Sequence, residues 1–565
     1  MLPDVAAIDR EFDYLLPERF SHATVGSMVR VPLHGRRVAG WITALDIEPD
    51  PSLDLSEVAK LSGIGPSADM IDLCRWAAWR WAGRVATFLG TASPPTMVSE
   101  LPRLHAVPDP PPESRWVSLF DQRRVVLRLP PAEDALPVVV AAAARGDTLV
   151  VCPSLAVARD LASRLRRARV PVALHPRDWV RAAQGGCVVV GTRAAAFAPM
   201  PQLAAVVVID EHDEAMQNEG SPTWHAREVA LERARRAQVP AAMVSPCPSL
   251  ESVARSPLVT VSRSEERAGW PILEVIDRRG DDLGRTGLYS ERLVTALRTD
   301  GTALCVLNRA GRAGLLACRG CGEVTRCEHC GAAVSLPTVG VLVCRRCATE
   351  RPEVCQSCGG TALALLRQGI ARAREELAAL LGEEVVEVSG ATRQLDLPEA
   401  RVYVGTEAVL HQVPQASVVA FLEMDQELLA PRYRAAEQAL ALLARAAKLV
   451  GGRDGGGRLV VQTRHPDHEV LRAALNADPG IVMKAEDARR HLTGFPPAVS
   501  MAFVGGEAAA EYISRLGAPP GVEIRERDGS WLVMAEDRKT LLDALASVQR
   551  PGGRLRLQVD PMRLP

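Results

Sequence analysis

At 565 residues, 47% of them hydrophobic, the chain is long enough for three to four domains and apolar enough to give each a core. A formal net charge of −1 excludes a global basic field, so any nucleic acid must be held by local patches. Thirteen cysteines, eight of them in Cys-x-x-Cys pairs, and the lack of a signal-peptide apolar core fit a reducing cytosol better than secretion, and the longest apolar run, near Val138 to Ala144, is too short to span a bilayer.

Residues 1–100 open with REFDYLLPERF and then VGSMVRVPLHGRRVAGWITAL, whose apolar and polar residues alternate as in short antiparallel strands. Helical spacing follows from Met70 to Val85, with Trp76, Trp79 and Trp81 on it. The proline-rich stretches SPPT and PDPPP then mark residues 101–115 as a linker. From 116 to 268 the rhythm is strand, loop, helix, repeated, in TLVVCPSLAVARDLASRLRRA, CVVVGTRAAAF and LAAVVVIDEHDE. Short β-branched runs alternating with helices predict a parallel, doubly wound sheet. The pattern resumes over 269–496, interrupted by a cysteine block at 318–358, and an α+β unit at 497–565 closes the chain.

The cysteine block holds four Cys-x-x-Cys pairs: Cys318/Cys321, Cys327/Cys330, Cys344/Cys347 and Cys355/Cys358. Zinc takes four thiolates at the corners of a tetrahedron, and each such turn supplies two, so eight cysteines make two closed, structural sites. The 13-residue loop between the second and third pairs suits a ribbon hairpin, which puts Cys327, Cys330, Cys344 and Cys347 on an inner site. Cys318, Cys321, Cys355 and Cys358 then close an outer one, and a disulfide cluster is the alternative. Gly322, Gly331 and Gly359 follow three of the pairs, where a tight turn benefits from positive φ. Cys74, Cys152, Cys187, Cys247 and Cys305 read as core thiols. His212, His225 and His329 read as structural or surface residues. Arg164, Arg166, Arg167 and Arg169 read as a solvated helix face.

Several stretches together resemble the PriA family of primosomal replication-restart DNA helicases, in superfamily 2, nearly end to end. They are FDYLLPE at 12–18, VGTRAAAF, IDEHDEA followed by WHAREVALERA, LNRAGRAGLLACRGCG and VVQTRHPDH. The resemblance implies an α/β multidomain chain. Two RecA-like parallel-sheet lobes, 116–268 and 269–496, would carry the two-zinc ribbon insertion, with a small β-rich DNA-binding domain before them and an α+β domain after. It implies that the N-terminal domain holds the 3′ end of a nascent strand with Phe12, Asp13, Gly35 and Lys60. A ring can stack on a base, a carboxylate can accept from a 3′-hydroxyl, and a lysine can neutralise phosphate. On residue type alone, Phe12 reads equally as core and Asp13 as a turn residue. Lys60 is one of only four lysines among the 67 basic residues.

The motor motifs depart from the family. The phosphate-cradling loop G-x-x-x-x-G-K-[ST] should stand where the chain reads VVLRLPPAEDALPVVV, with neither glycine nor lysine. No lysine occurs between Lys60 and Lys448. The acidic box is Asp210, Glu211 and His212, one carboxylate short, and the coupling motif reads SPC at 245–247. The arginine-finger motif is replaced by ARAAKLVGGR, with Leu449 and Gly452 where arginines belong and Arg445 and Arg453 off register. A winged-helix domain is missing at 101–115, and the first strand before REFDYLL is expected to be missing. We therefore expect two Zn²⁺, no ATP or Mg²⁺ and no catalytic residue. The expected protein is a cytoplasmic, monomeric fork-recognition factor that helps reload the replicative helicase. Its expected partners are forked DNA, single-stranded/double-stranded junctions and D-loops, single-stranded-DNA-binding protein and other primosome proteins, with no membrane. The alternative is an active ATP-dependent 3′→5′ helicase with an atypical nucleotide site.

Overall fold

The computed structural model describes residues 1–564 except 6–7, 49–51, 53, 103–113, 282–286, 308–315, 339, 345, 366–369 and 391–396. Most of the expected linker and the first part of the LNRAGRAGLLACRGCG junction lie outside the described residues. The N-terminal sheet is antiparallel, in the order Leu2–Pro3, Arg36–Trp41, Met28–Leu33, Lys60–Gly63. The strand expected to be missing before REFDYLL is thus present in short form, Leu2 opposite Trp41. The alternation in the sequence sets the two faces: Val29 and Val31 turn inward with Met1, Ala23, Ile42 and Val58. His34 and Gly35 join the central strands with φ of 46° and 74°, the two positive values that a two-residue hairpin turn of the right twist needs.

Helices Ala68–Arg80 and Val85–Ala92 lean this sheet on the next unit. Trp81, Phe88, Phe197 and Trp224 form a continuous aromatic chain, each ring centroid 5.1–6.4 Å from the next.

The first large sheet is wholly parallel, in the order Leu258–Thr260, Arg124–Arg128, Ala241–Ser245, Leu203–Ile209, Asp147–Val151, Val188–Gly191, Val172–Leu174. Its central strands are buried on both faces: Val126, Val206 and Val208 enter one core and Val125, Val207 and Ile209 the other. The second is also parallel, in the order Ile272–Asp277, Arg458–Thr463, Val418–Phe421, Ala303–Val306, Val402–Gly405, Val385–Val388. These are the two expected lobes, with the ribbons inserted in the second. The C-terminal sheet is antiparallel, in the order Val522–Arg527, Ser530–Ala535, Ser500–Gly505, Arg556–Val559. This unit packs on the N-terminal helices and the first lobe: Val533 of the sheet, with Tyr512 and Leu541 of its helices, shares a core with Trp81 and Val206. Arg80 pairs with Asp560 at 2.5 Å, and Trp79 donates to Asp543 at 3.0 Å. No helix among the described residues is long and apolar enough to cross a membrane.

Candidate DNA-end site, inter-lobe cleft and metal clusters

The segment from Phe12 to Leu15 is sewn down along its length. Phe12 N–H donates to Met1 O at 2.9 Å, and the Met1 ammonium donates to Phe12 O at 2.7 Å. Tyr14 Oη donates to Pro32 O at 2.9 Å, Leu15 N–H to Ser56 O at 3.0 Å, and Val58 N–H to Leu15 O at 2.9 Å. Phe12 and Asp13 therefore lie on a strip tied on one side to the hairpin strand that leads to Gly35, and on the other to the run that leads into Lys60. Phe12 is half-buried and carries the Arg10 guanidinium 4.6 Å from its ring centroid. Asp13 makes no hydrogen bond or ion pair with the described residues. Gly35 and Lys60 are exposed. A Cβ on Gly35 would meet nothing within 4 Å, so its backbone angle, not crowding, demands glycine and the space above it is open.

The loops at the C-terminal ends of the parallel strands converge on the cleft between the lobes, where an open α/β sheet ordinarily binds its ligand. The loop in the phosphate-cradle position is turned to packing. Ala132 N–H donates to Gly269 O at 3.1 Å and Glu133 N–H to Pro130 O at 3.0 Å. Pro137 stands in the first turn of the following helix, Leu136–Ala143, and removes an amide there. Asp134 takes the Leu136 N–H at 2.9 Å, so a carboxylate occupies the helix end that a phosphate would use, and it pairs with Arg164.

Glu211 is fully buried and its oxygens are all engaged internally. It accepts from Arg227 at 2.7 Å, Ser249 N–H at 2.7 Å, Ser249 Oγ at 2.8 Å and Ser252 Oγ at 2.6 Å. Burial alone would raise its pKa, but Arg227 and these donors hold it below the usual carboxylate value. His212 Nδ1 lies 2.7 Å from Ser245 Oγ, and burial lowers its pKa, keeping the ring neutral. Asp210 is likewise depressed against the pull of burial, chiefly by Lys448. Lys448 Nζ reaches both its oxygens, at 2.5 and 2.6 Å.

Lys448 and Arg445 lie three residues apart on one face of helix Ala435–Val450 in the second lobe. Arg445 pairs with Asp213. The ARAAKLVGGR stretch thus does turn cations to the cleft, Arg445 and Lys448 rather than Leu449 and Gly452, and they meet protein carboxylates there. Gly452 instead lets the lobes touch: a Cβ on it would fall 2.5 Å from Ala268 O and 3.4 Å from Ala132 Cβ. Deeper in, Glu251 of the first lobe takes Arg490 at 3.0 Å and also pairs with Arg434, and Arg490 pairs with Glu437. Sequence reasoning missed Lys448, Arg434 and Arg490. The spacing of three between Arg445 and Lys448, which puts both on one helix face, is the signal that could have found the first.

The eight ribbon cysteines fall into two groups, Cys318/Cys321/Cys355/Cys358 and Cys327/Cys330/Cys344/Cys347, the nested pairing expected, with the Sγ atoms of each group within 4.8 Å of one another. The shortest separations, 3.4 to 3.5 Å, are far too long for disulfides, which removes that alternative. Four sulfurs each 2.3 Å from one ion stand about 3.8 Å apart, so both groups fit zinc. Each turn closes with an amide donating to the first cysteine's carbonyl: Gly322, Gly331, Ala348 and Gly359, at 2.8–2.9 Å. All four have positive φ, and the third, Ala348, is an alanine at 59°. The five remaining cysteines are buried.

A family model described as a 3'DNA-binding domain (3'BD) matches residues 2–94. The chain is 30% identical over 564 residues to a "Probable replication restart protein PriA" of Mycobacterium tuberculosis, covering 89% of this chain and 86% of that one. It is 28% identical over 356 residues to the replication restart protein PriA of Haemophilus influenzae, covering 58% of this chain and 49% of the relative. The Bacillus subtilis protein of that name is 27% identical, over 56% and 43%. The matched part thus spans about half the length of these last two relatives. Among solved structures, S. cerevisiae Dbp5 bound to RNA and ADP BeF3 aligns with a TM-score of 0.38 at 11% identity, over 67% of this chain and 90% of that one. RecG bound to a three-way DNA junction aligns at 0.35 and 14%, over 64% and 43%.

Proposed function

The chain belongs to the PriA family of replication restart proteins, and from that premise we propose that it recognises stalled or abandoned forks without driving them. The reading is carried by the match of residues 2–94 to a 3'DNA-binding domain. In it, Phe12 stacks on the terminal base, Asp13 accepts from the free 3′-hydroxyl, and Lys60 faces the last phosphate above the open Gly35 turn. The two lobes act as a platform held shut by Lys448–Asp210 and Arg445–Asp213 rather than by a nucleotide. In the phosphate-cradle loop the Ala132, Glu133 and Leu136 amides are paired and Asp134 stands at the helix end, and Glu211 is occupied by Arg227 and two serines. A residue set of this kind does not fit ATP·Mg²⁺. The two four-cysteine groups hold structural zinc, with Cys318, Cys321, Cys355 and Cys358 on the outer ion and Cys327, Cys330, Cys344 and Cys347 on the inner. The protein works in the cytoplasm and promotes reloading of the replicative helicase through single-stranded-DNA-binding protein and other primosome partners.

The test is equilibrium binding to two labelled forks, one with a 3′-hydroxyl at the junction and one with that end set back by a gap, together with ATP turnover. The wild type is expected to prefer the first fork and to show no DNA-stimulated turnover. Asp13→Ala is expected to lose most of that preference, about tenfold for a charge-assisted hydrogen bond. Equal affinities of the wild type for the two forks would sink the pocket, and turnover would sink the silent platform.

A further inference from the structure

The N-terminal sheet has a second face. Arg30 stands directly opposite Lys60 on the edge strand, and Pro32, two residues along, stands opposite Arg37. Paired residues share a face, so Lys60, Arg30 and Arg37 all point away from the Val29/Val31 core. The Met28–Trp41 end of this face is covered by the helices, while Arg30, Arg37 and Lys60 are exposed. The side chain of none of the three makes a hydrogen bond or ion pair with the described residues. Two cations directly opposite one another on neighbouring strands, about 4.8 Å apart, destabilise a sheet. In a chain of net charge −1 with nearly equal numbers of acids and bases, three uncompensated cations on one sheet face call for an external polyanion.

We infer that this face is a phosphate track: Arg30 and Arg37 hold the sugar–phosphate backbone of the DNA strand whose end lies at Lys60. The inference rests on the reading of residues 2–94 as a DNA-binding domain and extends it from an end to a path. Guanidinium groups suit the role because each can fork onto two phosphate oxygens. Phosphate contacts position a strand without reading its sequence, so the track adds affinity at every fork and leaves discrimination of the end to Phe12 and Asp13.

The experiment measures binding of the full-length protein to the same two forks across a salt series, for Arg30→Ala/Arg37→Ala, Arg30→Lys/Arg37→Lys and Asp13→Ala. Each lost phosphate contact lowers the slope of log affinity against log salt by about 0.7–0.9, so the double alanine variant is expected to lose about 1.4–1.8 on both forks and about tenfold in low-salt affinity. Its ratio of affinities for the two forks stays that of the wild type, and the lysine variant keeps the slope. Removing like charges leaves the melting temperature equal or higher. An unchanged slope in the alanine variant overturns the track. So does loss of binding to a poly-glutamate peptide with fork affinity intact, which would assign the face to an acidic protein. The two readings fail separately: if Asp13→Ala keeps the end preference while the arginine variant loses slope, the pocket falls and the track stands.

Discussion

Glu211, the central carboxylate of the acidic box, spends its oxygens on the fold. To work on a metal or a water, a carboxylate needs a free lone pair facing the cleft, and Glu211 has turned its oxygens onto Arg227, Ser249 and Ser252. The departure of the acidic box from the family pattern is legible in the sequence, but the internal pairing of Glu211 is not, because the donors lie 16 to 41 residues away and become neighbours only when strands Leu203–Ile209 and Ala241–Ser245 pair. Removing one partner of a buried pair leaves the other charge stranded, at about 3–5 kcal/mol. Glu211→Ala is therefore expected to lower the urea midpoint sharply. Lys448→Ala, at a position open to solvent, is expected to cost about 1 kcal/mol or less. A Glu211 variant as stable as the wild type would mean the carboxylate is free after all.

At the scale of elements, the ribbons were the most legible part of the chain and the cleft the least. Cys-x-x-Cys spacing is local chemistry: four residues fix the bite, and the loop of 13 fixes which pairs meet. The two parallel sheets were legible for a similar reason, since runs such as AAVVVI can be buried only between two layers. What faces the cleft depends on tertiary placement. Asp210 and Lys448 are 238 residues apart, and only the helix Ala435–Val450 brings them together. The ribbon also corrects its own sequence pattern, because the third turn holds Ala348 in a conformation its three counterparts give to glycine. A non-glycine residue there costs about 1–2 kcal/mol. Ala348→Gly is expected to make the inner site harder to strip, so that more chelator is needed to release the second zinc, measured by a colorimetric thiol or metal assay. Equal or easier release would show that the strain is relieved elsewhere in the turn.

On the scale of the molecule, two buried ion-pair networks link the units, one from the N-terminal helices through the C-terminal unit to the first lobe and one between the lobes. Arg80 of the N-terminal helices meets Asp560 of the C-terminal unit, and Arg538 of that unit meets Glu228 of the first lobe at 3.0 Å. Arg227 carries the contact on to Glu211, and Glu251 crosses to Arg434 and Arg490. Burial would raise the pKa of Asp560, Glu228, Glu211, Glu251 and Asp210, yet the arginines and Lys448 hold every one below its ordinary value. A carboxylate depressed on folding stabilises the native state above its unfolded pKa, about 4, and that stability is lost as pH falls through the folded value. Asp9, Asp147, Glu266, Asp425 and Glu486 are raised by burial and work in the opposite direction, but the depressed carboxylates outnumber them. Acid is therefore expected to unfold the molecule below about pH 4, and as one body, because the depressed carboxylates sit at every junction between units. Tryptophan fluorescence reads the seam between the N-terminal helices and the first lobe through Trp81 and Trp224, and far-ultraviolet circular dichroism reads all the sheets together. Coincident acid transitions by the two probes are the expected result. A fluorescence change completed well above the loss of dichroism would mean that the N-terminal unit leaves first, and that the first network does not join what it touches.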